Sequence, residues 1–316
     1  MITDFRDAHA RIAEKDRSHR DKRMALPEAA QLVHDGDVLG VGGSLYSRTP
    51  MAMLLEILRA GRRDLTLARS LTSFEAELFL VRGAATRIIT SWMGIGIPWG
   101  ISKILREYVE SGRASYDEWS HLALGLRFKA AAMGLPFLPT LSMLGSDLAK
   151  VNDVRIMDDP FTGQPLCLIP ALFPDVALIH VHRADRFGNA QISGYPFMDS
   201  EIATAAQTVI VTAEEIVDTS EIARTSDATV IPYFLVDAVV EVPFGAFPHE
   251  CYGRYEADFE HFDDYVAMIA DGGTAGVERY LDRFLDETDS FEAFLALFGP
   301  EVLEAQQRKA AELVDG

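Results

Sequence analysis

Nine consecutive residues, Gly42-Gly43-Ser44-Leu45-Tyr46-Ser47-Arg48-Thr49-Pro50, hold the densest set of groups suited to an anion or an oxyanion. Adjacent glycines let backbone N–H groups approach a ligand closely, and a helix starting near Pro50 adds its positive end. Ser44, Ser47 and Arg48 supply side-chain donors beside them. The plainer reading of such a glycine pair is steric, a tight turn between a strand and a helix. Gly40, Gly42 and Gly43 do not complete a G-x-G-x-x-G fingerprint and no Walker lysine follows, which disfavours ATP and NAD. Two later loops offer related chemistry. Ser70-Leu71-Thr72-Ser73 supplies hydroxyls, although a helix cap is the simpler role for Ser73. Ser91 to Gly100 carries Trp92, Met93 and Trp99, suited to an acyl chain or, more simply, to core and interface packing.

Such loops need a scaffold that gathers them at one edge. Val38-Leu39-Gly40-Val41, Leu65-Thr66-Leu67-Ala68 and Thr86-Arg87-Ile88-Ile89-Thr90 are short apolar runs of buried-strand type. Helical spacing over Met51 to Arg59 and Phe74 to Arg82 separates them, with Thr49 and Pro50 suited to a helix start and Gly61 to a stop. Strands alternating with helices predict parallel βαβ units, a sheet covered on both faces, and ligand loops where the strands end. Trp119 to Met133 reads as a packed helix ended by Gly134 and Leu135-Pro136-Phe137-Leu138-Pro139, so the middle of the chain is expected to be helix-rich. Strands resume from Cys167, with Val176 to Val181, Thr208 to Thr212 and Val236 to Val242 as the clear ones and Asp185-Arg186-Phe187-Gly188-Asn189 as a turn. The expected plan is a charged N-terminal arm (1–23) on the surface or on a neighbouring protomer, an α/β body (24–260), and an acidic helical extension (261–316) packed on that body.

His180 and His182 alternate along a strand near Asp185, but no third ligand follows at useful spacing, and no metal is expected. Glu214-Glu215 and Asp117-Glu118 read as solvated helix ends. The chain carries 48 acidic against 29 basic residues, a net charge of −19, which disfavours nucleic acid and anionic membrane as partners. From Tyr255 onward there are 16 acidic and four basic residues, so the rest of the chain is only mildly acidic. Two cysteines, Cys167 and Cys251, are too few for a disulfide framework or a structural zinc site. The uncharged run Ile88 to Ser102 is short and broken by glycines and Pro98, and Asp4, Arg6 and Asp7 interrupt any signal-like start. Cytoplasm is the expected compartment.

Asp35-Gly36, the apolar strand, Gly42-Gly43 and Arg48-Thr49-Pro50 together resemble the N-terminal signature of family I coenzyme A transferases, nearest to the A (alpha) subunit of the glutaconate type. The resemblance continues through Ala130-Ala131-Ala132-Met133-Gly134-Leu135-Pro136, Gly145-Ser146-Asp147, Ala184-Asp185 with Gly188-Asn189, Thr212-Ala213-Glu214-Glu215-Ile216 and Val236-Asp237-Ala238. It ends with Pro243-Phe244-Gly245-Ala246-Phe247-Pro248 and Cys251-Tyr252-Gly253, and covers roughly residues 24–300. Ser44 stands where the family usually has Phe, and Phe247 where it usually has His. The resemblance implies an open, mainly parallel sheet covered by helices, the fold of CoA-transferase alpha subunits and of the wider NagB/RpiA-like group.

It further implies a two-subunit enzyme, a heterotetramer or hetero-octamer, that moves CoA between an acyl-CoA and a carboxylic acid, dicarboxylic acids among them. CoA thioester is then substrate, with no tightly bound cofactor. In this family a glutamate, typically within Ser-Glu-Asn-Gly, attacks the acyl-CoA and becomes a glutamyl-CoA thioester. That tetrapeptide is absent, and Ser200-Glu201 and Ser220-Glu221 both run into Ile-Ala and read as helix starts. The nucleophile is therefore expected on a beta (B) partner, with no catalytic residue here. Gly42, Gly43 and Ser44 are expected to line the site, Ser70 and Ser73 to flank it, and Arg48 to hold a distal carboxylate or to form a structural ion pair. One branch of the family hydrolyses carbon–carbon bonds in ring-derived CoA thioesters with a Glu near the position of His121. Such a hydrolase is the alternative activity, and a non-catalytic ligand-binding or scaffold role is the alternative class. Charge concentrated in the tail leaves the glycine-loop edge compatible with polyanionic CoA.

Overall fold

Short β-branched and aliphatic runs become strands throughout the chain, and the computed structural model describes residues 4–315. The first half contains β1 (Val38–Val41), β2 (Leu65–Ala68), β3 (Leu71–Thr72), β4 (Ala85–Thr90), β5 (Trp92–Gly96), β6 (Gly100–Ile101) and β7 (Ser115–Glu118). The second contains β8 (Phe137–Thr140), β9 (Arg155–Asp158), β10 (Pro165–Pro170), β11 (Val176–Ala184), β12 (Ala190–Gln191), β13 (Thr208–Ile216), β14 (Thr229–Ile231) and β15 (Ala238–Glu241).

The parallel strands run in the order β15-β13-β11-β1-β2-β4-β7. The chain winds from β1 toward β7, then returns to the other side of β1 and winds from β11 toward β15. The strand order therefore reverses between β1 and β11, the place where open α/β sheets accept ligands beyond their carboxyl ends. Alternation along each strand feeds two cores: Val176 and Leu178 of β11 join one, Ala177 and Ile179 the other. The open, mainly parallel, helix-covered sheet expected from the sequence is present. The acidic helices Phe259–Gly272 and Thr274–Leu281 send Phe262, Tyr265 and Tyr280 into the same core as Leu39 of β1. No helix among the described residues is long and apolar enough to cross a membrane.

Two features were not anticipated. β3, β5 and β6 form a small sheet from the loops above β2 and β4. Residues 137–166, expected to continue a helix-rich middle, supply β8, β9 and one short helix, Asp147–Val151; with β10, where strands were expected to resume, they form the antiparallel sheet β8-β10-β9. Strands of four to six residues punctuated by Pro139, Pro165 and Pro170 give little periodicity to read in the sequence. The N-terminal segment lies on this chain itself. Its helix Phe5–Ala13 buries Ala8, Lys15 pairs with Asp237 at 2.8 Å, and Arg23 bridges Val239, closing the free edge of β15.

Glu77, on the helix Phe74–Val81, is enclosed in the first core, where the Tyr265 hydroxyl donates to its Oε2 at 2.6 Å. Burial pushes its carboxyl up to about 7, against the opposing hydrogen bonds of Ser102 and Tyr265. The folded state thus holds this proton more tightly than the unfolded chain. The associated stability is complete below the ordinary value of 4.5 and is lost as the pH rises through about 7. Glu77→Gln is therefore expected to gain on the native protein by about 2–3 kcal/mol between pH 5 and pH 8.5. Paired melting curves across that range check it, and a pH-independent difference refutes it.

Candidate functional site

The loop after β1 sits at the reversal point, and its geometry is set by internal bonds. Gly42 N–H donates to Leu178 O at 2.8 Å, Gly43 N–H to Asp199 Oδ1 at 2.8 Å, and Ser44 N–H to Ser47 O at 2.9 Å. The three N–H groups expected to face a ligand are thus already engaged. The glycines serve the closure of the loop. A Cβ on Gly42 would stand 2.9 Å from Asp199 Oδ1, and Gly43, at φ +65°, would place one 2.2 Å from Ser47 O. Leu45 and Arg48 also adopt positive φ, 49° and 50°, a concentration of backbone strain that packing must hold in place.

Arg48 is 1% exposed, and its guanidinium is committed within the chain. Nη1 donates to Asp199 Oδ2 at 2.5 Å and to His180 O at 3.0 Å, and Nη2 to Tyr195 O at 3.0 Å. Of the two roles open to Arg48 in the sequence, the geometry is that of the ion pair; reach toward a distal carboxylate is replaced by a clamp on the loop. A second buried arginine holds the other side. Arg69, just past β2, donates to Gly42 O at 3.2 Å, to Thr49 Oγ1 at 2.9 Å and to Glu75 Oε1 at 2.5 Å. Glu75 in turn accepts the Ser73 N–H.

Ser44 and Ser70 are brought together, their hydroxyl oxygens 3.5 Å apart. Ser73 is not at the same place: it is fully buried, and its hydroxyl points to Ile95 O at 3.4 Å and makes no cap to its helix. The third loop becomes the β5–β6 hairpin. Met93 joins the core, and the Trp99 ring lies 6.4 Å from that of Tyr46. The Tyr46 hydroxyl occupies the space a Cβ on Gly96 would take, only 1.4 Å from that position. Tyr46 thereby keys the glycine loop to the hairpin. Farther along the edge the Ser91 hydroxyl donates to Ser70 O at 2.5 Å and lies 3.2 Å from His121 Nδ1.

On the β11 side, the Glu214 carboxylate is saturated with donors. Oε1 takes His180 Nε2 at 2.7 Å, Tyr255 Oη at 2.6 Å and Gly245 N–H at 3.1 Å; Oε2 takes Phe244 N–H at 2.8 Å. Burial alone raises this carboxyl, but the bonds and charge of His180, then Tyr255 and Phe244, outweigh it and hold it below the usual carboxylate range. Thr212 completes His180 through Nδ1 at 2.9 Å. His180, Glu214 and Cys251 bring ligand atoms within 4.8 Å of one another; Glu214 Oε1 already takes three donors, and burial drives the Cys251 thiol well above its ordinary value. His182 accepts Ser193 N–H at Nδ1 and donates from Nε2 to Tyr252 O, which fixes its tautomer; burial lowers it to about 4. Asp185 accepts the N–H groups of Phe187, Gly188 and Asn189, as a turn aspartate does.

A family model described as coenzyme A transferase matches residues 23–242, which include both halves of the sheet and the glycine loop. This chain belongs to the coenzyme A transferase family. It is 34% identical to the A (alpha) component of the 3-oxoadipate CoA-transferase of Pseudomonas knackmussii, over 86% of this chain and 96% of that one. An uncharacterized protein of Archaeoglobus fulgidus is 40% identical over 90% of this chain, which spans only 64% of that relative's length. Among solved structures, glutaconate coenzyme A-transferase of Acidaminococcus fermentans superposes with a TM-score of 0.84 at 30% identity, covering 90% of this chain and 94% of that one.

In this coenzyme A transferase family member, the polar residues that organise the site are largely ones the sequence did not single out: Asp199, Arg69, Glu75 and Tyr255. A faint signal existed. Arg69 directly follows an apolar strand, and Glu75 and Glu77 interrupt an otherwise apolar helix, where an unpaired charge would be costly.

Proposed function

We propose that this chain is the A (alpha) subunit of a two-subunit CoA transferase that exchanges CoA between an acyl-CoA and a carboxylic acid. The observation that carries this reading is the loop at the reversal point between β1 and β11, where the carboxylates of Asp199, Glu75 and Glu214 are taken up by contacts within the chain. Asp199 and Glu75 are held by buried arginines, and Glu214 is saturated. A carboxylate nucleophile must be free to attack, so it comes from a partner chain docked over this edge. The partner's glutamate attacks the thioester carbonyl and expels CoA thiolate, giving an acyl anhydride. The thiolate then attacks the glutamyl carbonyl, releasing the carboxylic acid and leaving a glutamyl-CoA thioester, which the acceptor acid reverses. Within this chain, the Ser44 and Ser70 hydroxyls take the donor role that the engaged N–H groups of Gly42 and Gly43 do not fill, and Arg48 and Ser73 position the loops. A preorganised donor to an oxyanion is worth about 3 kcal/mol.

The test is the complex purified with its companion chain. Given an acyl-CoA and a carboxylate acceptor, it is expected to move CoA without releasing free thiol, and the companion is expected to trap CoA as a thioester detectable by mass. Free thiol in the absence of any acceptor would assign a hydrolase instead, and neither outcome would assign a binding or scaffold role.

A further inference from the structure

A gathering of exposed apolar side chains lies on and around the small sheet β8-β10-β9. Phe161 is 93% exposed, Ile156 57% and Met157 40%, with Leu141 and Val151 close by in sequence and also exposed. β9 pairs with β10 on one side, and among the described residues nothing pairs with its other edge. A solvent-facing edge strand with apolar residues on both of its faces is a template for another strand.

The backbone phase of that edge is fixed. Asp159 N–H donates to Gln164 O at 2.7 Å, continuing the β9–β10 ladder in which Met157 faces Leu166 and Arg155 faces Leu168. Hydrogen-bonded pairs alternate along an antiparallel ladder, so Arg155 and Met157 bond inward, and the N–H and C=O groups of Ile156 and Asp158 face outward. An antiparallel partner of the same sequence must oppose outward residues to outward residues, which leaves three short registers. Ile156 against itself sets Asp153 against Asp159, and Asp158 against itself sets two carboxylates face to face. Both are penalised, because like charges directly opposite destabilise a strand pair. The third register sets Met157 against Met157, Ile156 against Asp158 in both directions, and Arg155 against Asp159 on each side of the two-fold. It joins opposite charges twice and opposes no like charges. Arg155 is available for this: its contact within the chain is an exposed one with Asp153 at 3.3 Å.

We propose that β9 pairs antiparallel with β9 of a second copy of this chain, about a two-fold axis at Met157, extending the small sheet across a homodimer contact. The contact is isologous, closes on itself, and leaves the glycine-loop edge free for a different partner. It stands independently of the acyl group the complex handles.

In this register Met157 meets Met157 as a non-hydrogen-bonded pair with Cα atoms about 4.5 Å apart, within disulfide reach. Met157→Cys, in the full chain together with any companion that co-purifies, is expected under mild oxidation to give a disulfide-linked dimer at twice the 34.9 kDa chain mass. Cys167 and Cys251 are buried and keep the background low. Val151→Cys, exposed but outside β9, is expected to give none. Ile156→Pro removes only an outward N–H, so the β9–β10 ladder keeps its bonds, and it is expected to halve the mass of the assembly by light scattering. Arg155→Asp is expected to weaken the dimer at least tenfold. Absence of the Met157→Cys crosslink, a crosslink to the companion chain instead, equal crosslinking at Val151→Cys, or an unchanged mass for Ile156→Pro overturns the proposal.

Discussion

Asp199→Ala is expected to cost about 3–5 kcal/mol, the range for removing one member of a buried ion pair, and to lower the melting temperature by about 10 °C. The side chain is fully buried and has two functions at once: it neutralises Arg48, itself enclosed, and it accepts the Gly43 N–H. Without it, a guanidinium remains among apolar side chains and a backbone donor loses its acceptor. CoA exchange by the complex is expected to fall below detection, because the loop that faces the partner loses its anchor. Replacing both partners by apolar residues of similar size, Arg48→Met with Asp199→Leu, separates the two effects. Stability is expected to return in part, since no charge is stranded, whereas exchange is not. Recovery of exchange in the double variant would refute the anchoring role.

Gly43→Ala is expected to reduce CoA exchange by about 100-fold, as displacements of about 1 Å at a positioned site do. The added methyl would lie 2.2 Å from Ser47 O and 2.7 Å from Arg48 O, both backbone atoms that cannot rotate away. The turn must open, and with it the hydrogen bond from Ser44 N–H to Ser47 O and the approach of Ser44 to Ser70. Gly36→Ala is the matched control. It has φ +86° but nothing within 4 Å, so it carries the left-handed backbone cost alone, about 1 kcal/mol. Melting and exchange measured on both variants distinguish conformation from collision. Equal behaviour would show that the steric closure of the loop is unimportant.

The parallel half of the fold was legible because burial on both faces forces continuous apolar runs, and β1, β2, β4, β11 and β13 all carry them. The loop after β1 was legible as a place, since a glycine pair between a strand and a helix start is a local signal. Its chemistry was not. Arg48 stands open between a distal carboxylate and an ion pair in the sequence because its partner, Asp199, is 151 residues away in an unremarkable Met198-Asp199-Ser200. Glu214 looked like a solvated helix end because its donors come from residues 244, 245 and 255, and the segment is in fact the end of β13. Long-range polar pairing leaves no periodicity, so sequence reading locates the apolar skeleton and misses the ions buried within it. The small sheet of β8, β9 and β10 was harder to read for a different reason: its strands are short and interrupted by prolines, all of β9 faces solvent, and only Cys167 and Ile169 of β10 are fully buried.

The reversal of strand order at β1 also sets a timetable for synthesis. β1 leaves the ribosome early, yet its neighbour β11 begins at Val176 and the acid that neutralises Arg48 lies 151 residues behind it. At translation rates of 5–20 residues per second, that gap lasts about 10–30 s. During it the nascent chain presents one bare edge of β1 and an arginine without its counter-ion. The central strand of the finished sheet is therefore an unprotected margin at birth, and holding it apart from other chains until residue 199 has emerged is a requirement for making this protein.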